Sequence, residues 1–339
     1  MARAAVLGTG LIGASIGIGL RGLGWTVVGW DPDAVALKTA LTMGALDAAA
    51  GGPAAAADAD LVVLAGPPAA IEDALAKIDT AALVTDVAGV KAPMVAAGSH
   101  LPRYVGGHPL AGRETSGPSG ASGSLFRGAT WVLTTDGAEA GALTELSNLV
   151  AGLGAIPLHL TAAQHDEAVA AISHLPQVVA SALVNRVARD QGALDLAAGG
   201  FRDLTRIALS APTWWPDVLV ENRVPLAAML RDLSDDLLVW AELVEEQKHP
   251  QIAAALLSAR VARSSLAAPV TAIGVVLEDR PGEIARVGHA LEVSGVDLRD
   301  LQLRHATHGG GGVLTLSVRA AEAEVLAMTL RAEGFALIG

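Results

Sequence analysis

Through the first half of the chain, short and nearly unbroken apolar runs alternate with stretches whose apolar residues recur every three or four positions. Residues 4–7, 25–30, 61–64 and 82–85 are the unbroken runs, the pattern of strands buried on both faces of a parallel sheet. Residues 14–20, 34–41 and 71–77 lie between them and have helical spacing. Strand alternating with helix predicts an α/β fold with a Rossmann-type parallel sheet. Residues 130–135 and 155–160 read as further strands around a helix at 139–153. From Thr161 to about Leu266 no strand pattern remains. Residues 164–189 form one long helix candidate, kinked by Pro176, and 199–206, 220–244 and 251–263 complete an all-helical set. Beyond that the pattern changes again. Strands at 270–277, 296–303, 313–318 and 335–338 enclose helices at 284–292 and 322–332, which is βαββαβ.

The first strand runs into Gly8-Thr9-Gly10-Leu11-Ile12-Gly13, and the second apolar run closes on Asp31. A glycine-rich turn between strand and helix, with an acid at the end of the next strand, is the dinucleotide-binding arrangement. Gly8 makes the turn, Gly10 admits the pyrophosphate, and Gly13 lets the helix pack on the strand. Leu11 and Ile12 open the helix whose N-terminus faces the phosphates. Asp31 would accept from the ribose hydroxyls and repel a 2′-phosphate, which favours NAD over NADP. The strand ends at Gly66-Pro67 and Thr85-Asp86 fall on the same carboxyl edge and are further cofactor candidates. The expected domains are residues 1–160 for the dinucleotide, 161–267 for substrate and dimerisation, and 268–339 for the small C-terminal unit.

Composition narrows the function classes. With 52% hydrophobic and 17% charged residues, the chain has material for several cores and is not a disordered one. A net charge of −12 disfavours a nonspecific nucleic-acid binder. The absence of cysteine excludes disulfides, thiolate nucleophiles and cysteine-held metals, and suits a reducing cytoplasm. No apolar stretch of about 18 residues free of breakers is evident, so no membrane span is expected. The pair His305 and His308 beside a glycine run reads as a solvated hairpin tip, and no metal site is expected.

The sequence Gly106–Gly117, GGHPLAGRETSG, is a glycine-rich loop holding His108 and Glu114. It follows a strand of the sheet and so lies at the edge where the nicotinamide is expected. Imidazole titrates near neutral pH, which makes His108 a candidate acid or base. Arg206 carries a bidentate fork suited to a carboxylate, or else pairs with Asp203 one turn away. His174 either lines the site or is a satisfied packing histidine.

GTGLIGAS, TDVAGVK, GGHPLAGRETSG, HDEAVAAISHLPQ and GGFRDLTRIA, in this order, resemble the prephenate dehydrogenase family of tyrosine biosynthesis over residues 1 to about 265. The C-terminal unit resembles an ACT domain, the amino-acid sensor appended to many biosynthetic enzymes. The resemblance implies NAD-dependent oxidative decarboxylation of prephenate in a cytoplasmic homodimer. By this resemblance His108 would take or hydrogen-bond the C4 hydroxyl proton, Glu114 would gate or polarise the pocket, and Arg206 would clamp a carboxylate. Ser173, His174 and Gln177 line the substrate side, and Trp214 or Trp215 closes an apolar wall. Asp279, Pro281, Gly282 and Gly295 lie where an amino-acid effector such as tyrosine would bind. Two positions depart from the family pattern. Gly89 stands where a serine is expected to contact the catalytic histidine and the substrate hydroxyl, and Gln177 stands where a second histidine is common. The departures leave open arogenate or an amino-substituted prephenate as substrate, and an amino-acid-sensing protein with weakened catalysis.

Overall fold

In a computed structural model the protein is described over residues 2–53, 58–111, 117–189, 191–210, 214–265, 270–305 and 311–338. Glu114 and His308 lie outside the described residues. The chain divides into two compact units, Met1–Asp235 and Asp236–Gly339, the division falling within one long helix.

The first unit begins with β1 (Arg3–Leu7), α1 (Leu11–Gly22), β2 (Thr26–Trp30), α2 (Ala34–Thr42), β3 (Ala48–Ala49), β4 (Leu61–Leu64), α3 (Pro68–Lys77), β5 (Leu83–Asp86), α4 (Ala92–Gly98) and β6 (Tyr104–Val105). These six strands pair in parallel in the order β3-β2-β1-β4-β5-β6. Period-two alternation sends Leu61 and Val63 into one core and Val62 and Leu64 into the other. Both faces of β4 are therefore dry, as its unbroken apolar run requires.

The chain then reverses. After β6 it enters β7 (Gly107–Pro109), antiparallel to β8 (Thr130–Thr134), which is parallel to β9 (Ile156–Leu160) across α5 (Ala140–Gly152). The first part of GGHPLAG is thus a strand, not the loop that its glycines suggest. Gly107 serves close approach, because a Cβ there would stand 2.6 Å from the Asp86 carbonyl oxygen. His108 lies in register with Val132.

Thr161 opens the helical part with a capping box, its hydroxyl accepting from the Gln164 amide while the Gln164 side chain accepts from the Thr161 amide. α6 (Ala162–Val169) continues through a π-turn at Ala170–His174 into α7 (Leu175–Val187). The π-turn lies directly ahead of Pro176, whose missing amide and bulky ring disturb the regular hydrogen-bond ladder. The helix therefore runs past the proline, and Ala162–Val187 is, by length and composition, long and apolar enough to cross a membrane. That differs from the expectation that breakers interrupt every such stretch. The same helix buries His165, Asp166, His174 and Gln177 within the unit.

α8 (Gln191–Asp195), α9 (Gly199–Thr205), a 3₁₀ turn at Arg206–Leu209, α10 (Trp215–Glu221) and α11 (Arg223–Glu245) follow. The sequence pattern suggests one helix over 220–244. The structure breaks it at Asn222, whose side chain is committed elsewhere. Residues of the second unit include α12 (His249–Ser265), β10 (Val270–Leu277), α13 (Glu283–Ser294), β11 (Leu298–His305), β12 (Gly312–Arg319), α14 (Ala323–Ala332) and β13 (Ala336–Ile338). The four strands form an antiparallel sheet in the order β11-β12-β10-β13, with a core of Val275, Val287, Leu314, Leu316 and Leu326. This is the expected βαββαβ connectivity.

Candidate active site

The dinucleotide edge is built by three constraints on the β1–α1 turn. Gly8 has φ +99°, and a Cβ on it would meet the Ala65 carbonyl oxygen at 2.5 Å. A Cβ on Gly13 would meet the Gly8 carbonyl oxygen at 2.0 Å, so the helix is seated directly on the turn. At Gly10 nothing lies within 4 Å of the Cβ position, and no side chain caps the helix N-terminus there. Open space against uncapped amides fits a bound pyrophosphate. Leu11 and Ile12 occupy the first turn, partly buried. Asp31 is held at the end of β2, its Oδ2 accepting from the Thr9 amide at 2.6 Å and the Thr9 hydroxyl at 3.1 Å, its Oδ1 from the Asp33 amide at 2.9 Å. The residues present therefore fit a dinucleotide with an unphosphorylated ribose. Gly66 is partly buried and Pro67 exposed at the end of β4.

Thr85 and Asp86 close β5 at its carboxyl end, the expected edge. Both are buried, and the Asp86 carboxylate is filled from inside the protein. Its Oδ1 pairs with the Lys91 ammonium and accepts from the Ala88 amide at 2.7 Å. Its Oδ2 accepts from the Tyr104 hydroxyl at 2.6 Å and the Gly107 amide at 3.3 Å. Lys91, 0% exposed, also donates to the Gly107 carbonyl at 2.7 Å. The Asp86 side chain thus anchors β7 and leaves no acceptor for a cofactor. Burial lowers the Lys91 pKa against the pull of Asp86, and burial raises that of Tyr104.

A second buried carboxylate lies beside this pair. Asp166 accepts from the Lys91 amide at 2.8 Å on Oδ1 and from the Ala92 amide at 2.8 Å on Oδ2. Burial alone would raise its pKa, but His165 and the two amides outweigh burial and hold it below the usual carboxylate value. His165 Nδ1 lies 2.8 Å from Asp166 Oδ1, and His165 Nε2 lies 2.8 Å from His108 Nδ1. A carboxylate can only accept, so His165 carries its proton on Nδ1. With both rings neutral, His165 Nε2 accepts and His108 Nδ1 donates. The lone pair of His108 is then on Nε2, the atom free to act as a base. Burial, then the charges at His165, Lys91 and His174, push the His108 pKa well below that of a free imidazole. A Cβ on Gly89 would stand 3.8 Å from His108 Nε2. Position 89 therefore flanks the basic nitrogen, and in this chain it places no hydroxyl there.

The helical wall brings His174 and Gln177 to buried positions one turn apart. Asn222 Nδ2 donates to the Asp166 backbone carbonyl at 2.8 Å and lies 3.0 Å from His174 Nδ1. Trp215 packs edge-on against His174 at 6.1 Å, and Trp214 stacks on Trp215 at 4.6 Å. Of the two tryptophans, Trp215 is the one against the histidine, while Trp214 is 44% exposed. Ser173 is exposed, as the turn rotates it away from His174. Arg206 begins the exposed 3₁₀ turn after α9. Residues without an expected role complete the site: Lys91, His165, Asp166 and Asn222. The first three lie inside the motifs TDVAGVK and HDEAVAAISHLPQ, but nothing local marks Asn222.

In the second unit a cavity of about 390 Å³ is lined by Asp279, Pro281, Gly282 and Leu303 among others. At its rim Glu283 accepts from Arg280 Nε at 2.9 Å and Arg286 Nη1 at 2.9 Å. Gly295 closes α13 in the left-handed conformation, φ +65°.

Comparison with known proteins agrees with this geometry. The family model described as the nucleotide-binding domain of prephenate dehydrogenase matches residues 16–157, and that described as its dimerization domain matches 161–258. The chain is 33% identical to the probable prephenate dehydrogenase NovF of Streptomyces niveus, over 98% of each chain. It is 28% identical to the prephenate dehydrogenase of Bacillus subtilis, over 91% of this chain and 90% of that one. Among solved structures, prephenate dehydrogenase from A. aeolicus in complex with hydroxyphenyl propionate and NAD+ superposes with TM-score 0.74 and 27% identity, covering 79% of this chain and 99% of that one. Synechocystis arogenate dehydrogenase gives TM-score 0.68 and 30% identity, covering 78% and 100%.

Replacing Lys91 by Met leaves the Asp86 charge buried and unpaired. It is expected to cost about 3–5 kcal/mol in urea unfolding, and adding Asp86→Asn should restore part of it. Asp31→Ala is expected to raise the KM for NAD about tenfold or more while relaxing discrimination against NADP, read by cofactor titration at saturating substrate.

Proposed function

The chain belongs to the prephenate dehydrogenase family, and on that premise we propose that it converts prephenate to 4-hydroxyphenylpyruvate by NAD-dependent oxidative decarboxylation in tyrosine biosynthesis. The observation that carries the reading is the file His108–His165–Asp166, with both imidazole contacts at 2.8 Å. NAD, when bound along the glycine-rich turn, supplies the hydride acceptor.

The chain's own residues handle the proton and the charges. The C4 hydroxyl of prephenate gives its proton to His108 Nε2 as hydride leaves C4. His165 and the ionised Asp166 stabilise the resulting imidazolium through Nδ1. The ring carboxylate departs as CO2, its electron pair completes the aromatic ring, and the phenolate oxygen takes the proton back from His108. Atoms and charge balance with no net proton released from this exchange. Arg206 is assigned to a substrate carboxylate, Glu114 to gating the pocket, and Gln177 with Trp215 to its helical wall. Thr85 is assigned to the cofactor edge at the end of β5. An intact base and relay speak against a chain that only senses amino acids.

The small unit at 268–339 is assigned as an ACT-like regulatory domain. Its strand order and the cavity at Asp279, Pro281 and Gly282 support an amino-acid effector, with tyrosine the product-related choice. A homodimer is proposed through the helices that the dimerization model spans. Their exposed Leu237, Leu238, Leu256 and Leu257 support it. The lack of cysteine suits the cytoplasm.

Purified protein with prephenate and NAD is expected to form NADH and 4-hydroxyphenylpyruvate, with arogenate a poorer substrate in parallel assays; absence of prephenate turnover refutes the assignment. His108→Asn should lower kcat by about 10²–10⁴-fold with a smaller effect on KM. The base is active when neutral and its pKa lies below 6.5. kcat/KM should therefore stay level as pH falls through 6.5 and drop only at more acid pH, whereas an unshifted imidazole would begin to lose activity there. Tyrosine inhibition, measured on the full chain, should be lost in Asp279→Ala if the effector binds at this cavity.

A further inference from the structure

Asn222 is 2% exposed, at the break between α10 and α11, and its amide faces two fixed groups. One is the Asp166 backbone carbonyl, 2.8 Å from Nδ2, and the other is His174 Nδ1, 3.0 Å from the same atom. A carbonyl oxygen has no hydrogen to give, so the amide atom facing it is the nitrogen; the flipped amide would set two oxygens against each other. An amide nitrogen in turn has no lone pair to offer. Its second hydrogen therefore points to a bare His174 Nδ1, and in a neutral imidazole the single proton is then on Nε2. Burial, opposed by Asp166 and assisted by His165, holds the His174 pKa below its ordinary value.

We infer that Asn222 is a positioning residue that locks His174 in the Nε2–H tautomer, so that the helical wall offers the substrate a neutral hydrogen-bond donor while His108 offers an acceptor. The two histidines are thus set in opposite tautomers by partners that converge on one residue. Asp166 orders His108 through its carboxylate and His165, and orders His174 through its backbone carbonyl and Asn222. A donor on His174 recognises an oxygen acceptor, such as the keto or carboxylate oxygen of a 2-oxo-acid side chain. It gains nothing from an ammonium, which has only hydrogens to give. This substrate half rests on the proposed function; the tautomer half rests on the chain alone.

The test is long-range ¹H–¹⁵N NMR on the full-length protein labelled with ¹⁵N-histidine. His174 is identified among the nine histidines by the signals missing in His174→Gln. The expected wild-type pattern is an unprotonated-type Nδ1 and a protonated-type Nε2. In Asn222→Ala the two nitrogens should move toward averaged shifts. In Asn222→Asp, where an acceptor replaces the donor, the proton should move to Nδ1. Folding of each variant is checked by circular dichroism and melting. A wild-type His174 protonated on Nδ1 overturns the inference, and so does an unchanged tautomer in a folded Asn222 variant. If neither variant folds, the wild-type spectrum decides. The spectrum needs no substrate, so failure of prephenate turnover would remove the functional assignment without touching the tautomer. In steady state, Asn222→Ala should raise the KM for prephenate about tenfold, the loss of one hydrogen bond of about 1.4 kcal/mol, with kcat and the KM for NAD changed less. A shifted tautomer with an unchanged KM for prephenate overturns the substrate half.

Discussion

Asp166 holds together the two sides of the site. Its carboxylate receives the amides of Lys91 and Ala92 at the start of α4 and the Nδ1 proton of His165, while its backbone carbonyl receives Asn222. A carboxylate buried this deeply is tolerable because two backbone amides and an imidazole N–H are aimed at it. Two of those donors are at the N-terminus of a helix, where negative charge is favoured. The β5–α4 loop, the long helix and the α10–α11 junction are thereby tied to one residue.

Directly beneath lies the ion pair of Asp86 and Lys91, both fully buried. Such a pair gains little net stability, because desolvation offsets most of the attraction. Its value here is geometric. Asp86 and Lys91 together hold the amide and carbonyl of Gly107, the residue before His108. The arrangement has an electrostatic consequence. Burial first, and then repulsion from neighbouring groups including the Lys91 ammonium, disfavours a positive charge on His108. The hydrogen bond from His108 Nδ1 to a neutral His165, itself held by Asp166, fixes the ring orientation.

Gly89 acquires a definite meaning in this setting. A serine at this position would flank His108 Nε2, as the 3.8 Å approach of an added Cβ indicates. With glycine there, the ring's orientation comes from its opposite nitrogen. Family resemblance pointed to the front of the imidazole, and the orientation comes from behind it.

Much of the fold was legible in the residues alone. Turn, helix and strand are written locally, in glycines at Gly8 and Gly13, in a 3.6 period and in unbroken apolar runs, and so the parallel sheet, the helical half and the βαββαβ unit follow from pattern. His108 stands out as a titratable group inside a distinctive motif, and His174 and Gln177 through the family resemblance. Other features were decided only by the tertiary structure. They include the strand at Gly107–Pro109, the burial of Asp86 against Lys91, the π-turn that carries the helix past Pro176, and the contacts of His165, Asp166 and Asn222. Their partners lie far apart in sequence, 75 residues for Lys91 and Asp166, 57 for His108 and His165, and 48 for Asn222 and His174. No local period encodes such a pairing. A histidine's tautomer, and with it the choice between base and donor, depends on which atom the folded chain brings to its other nitrogen.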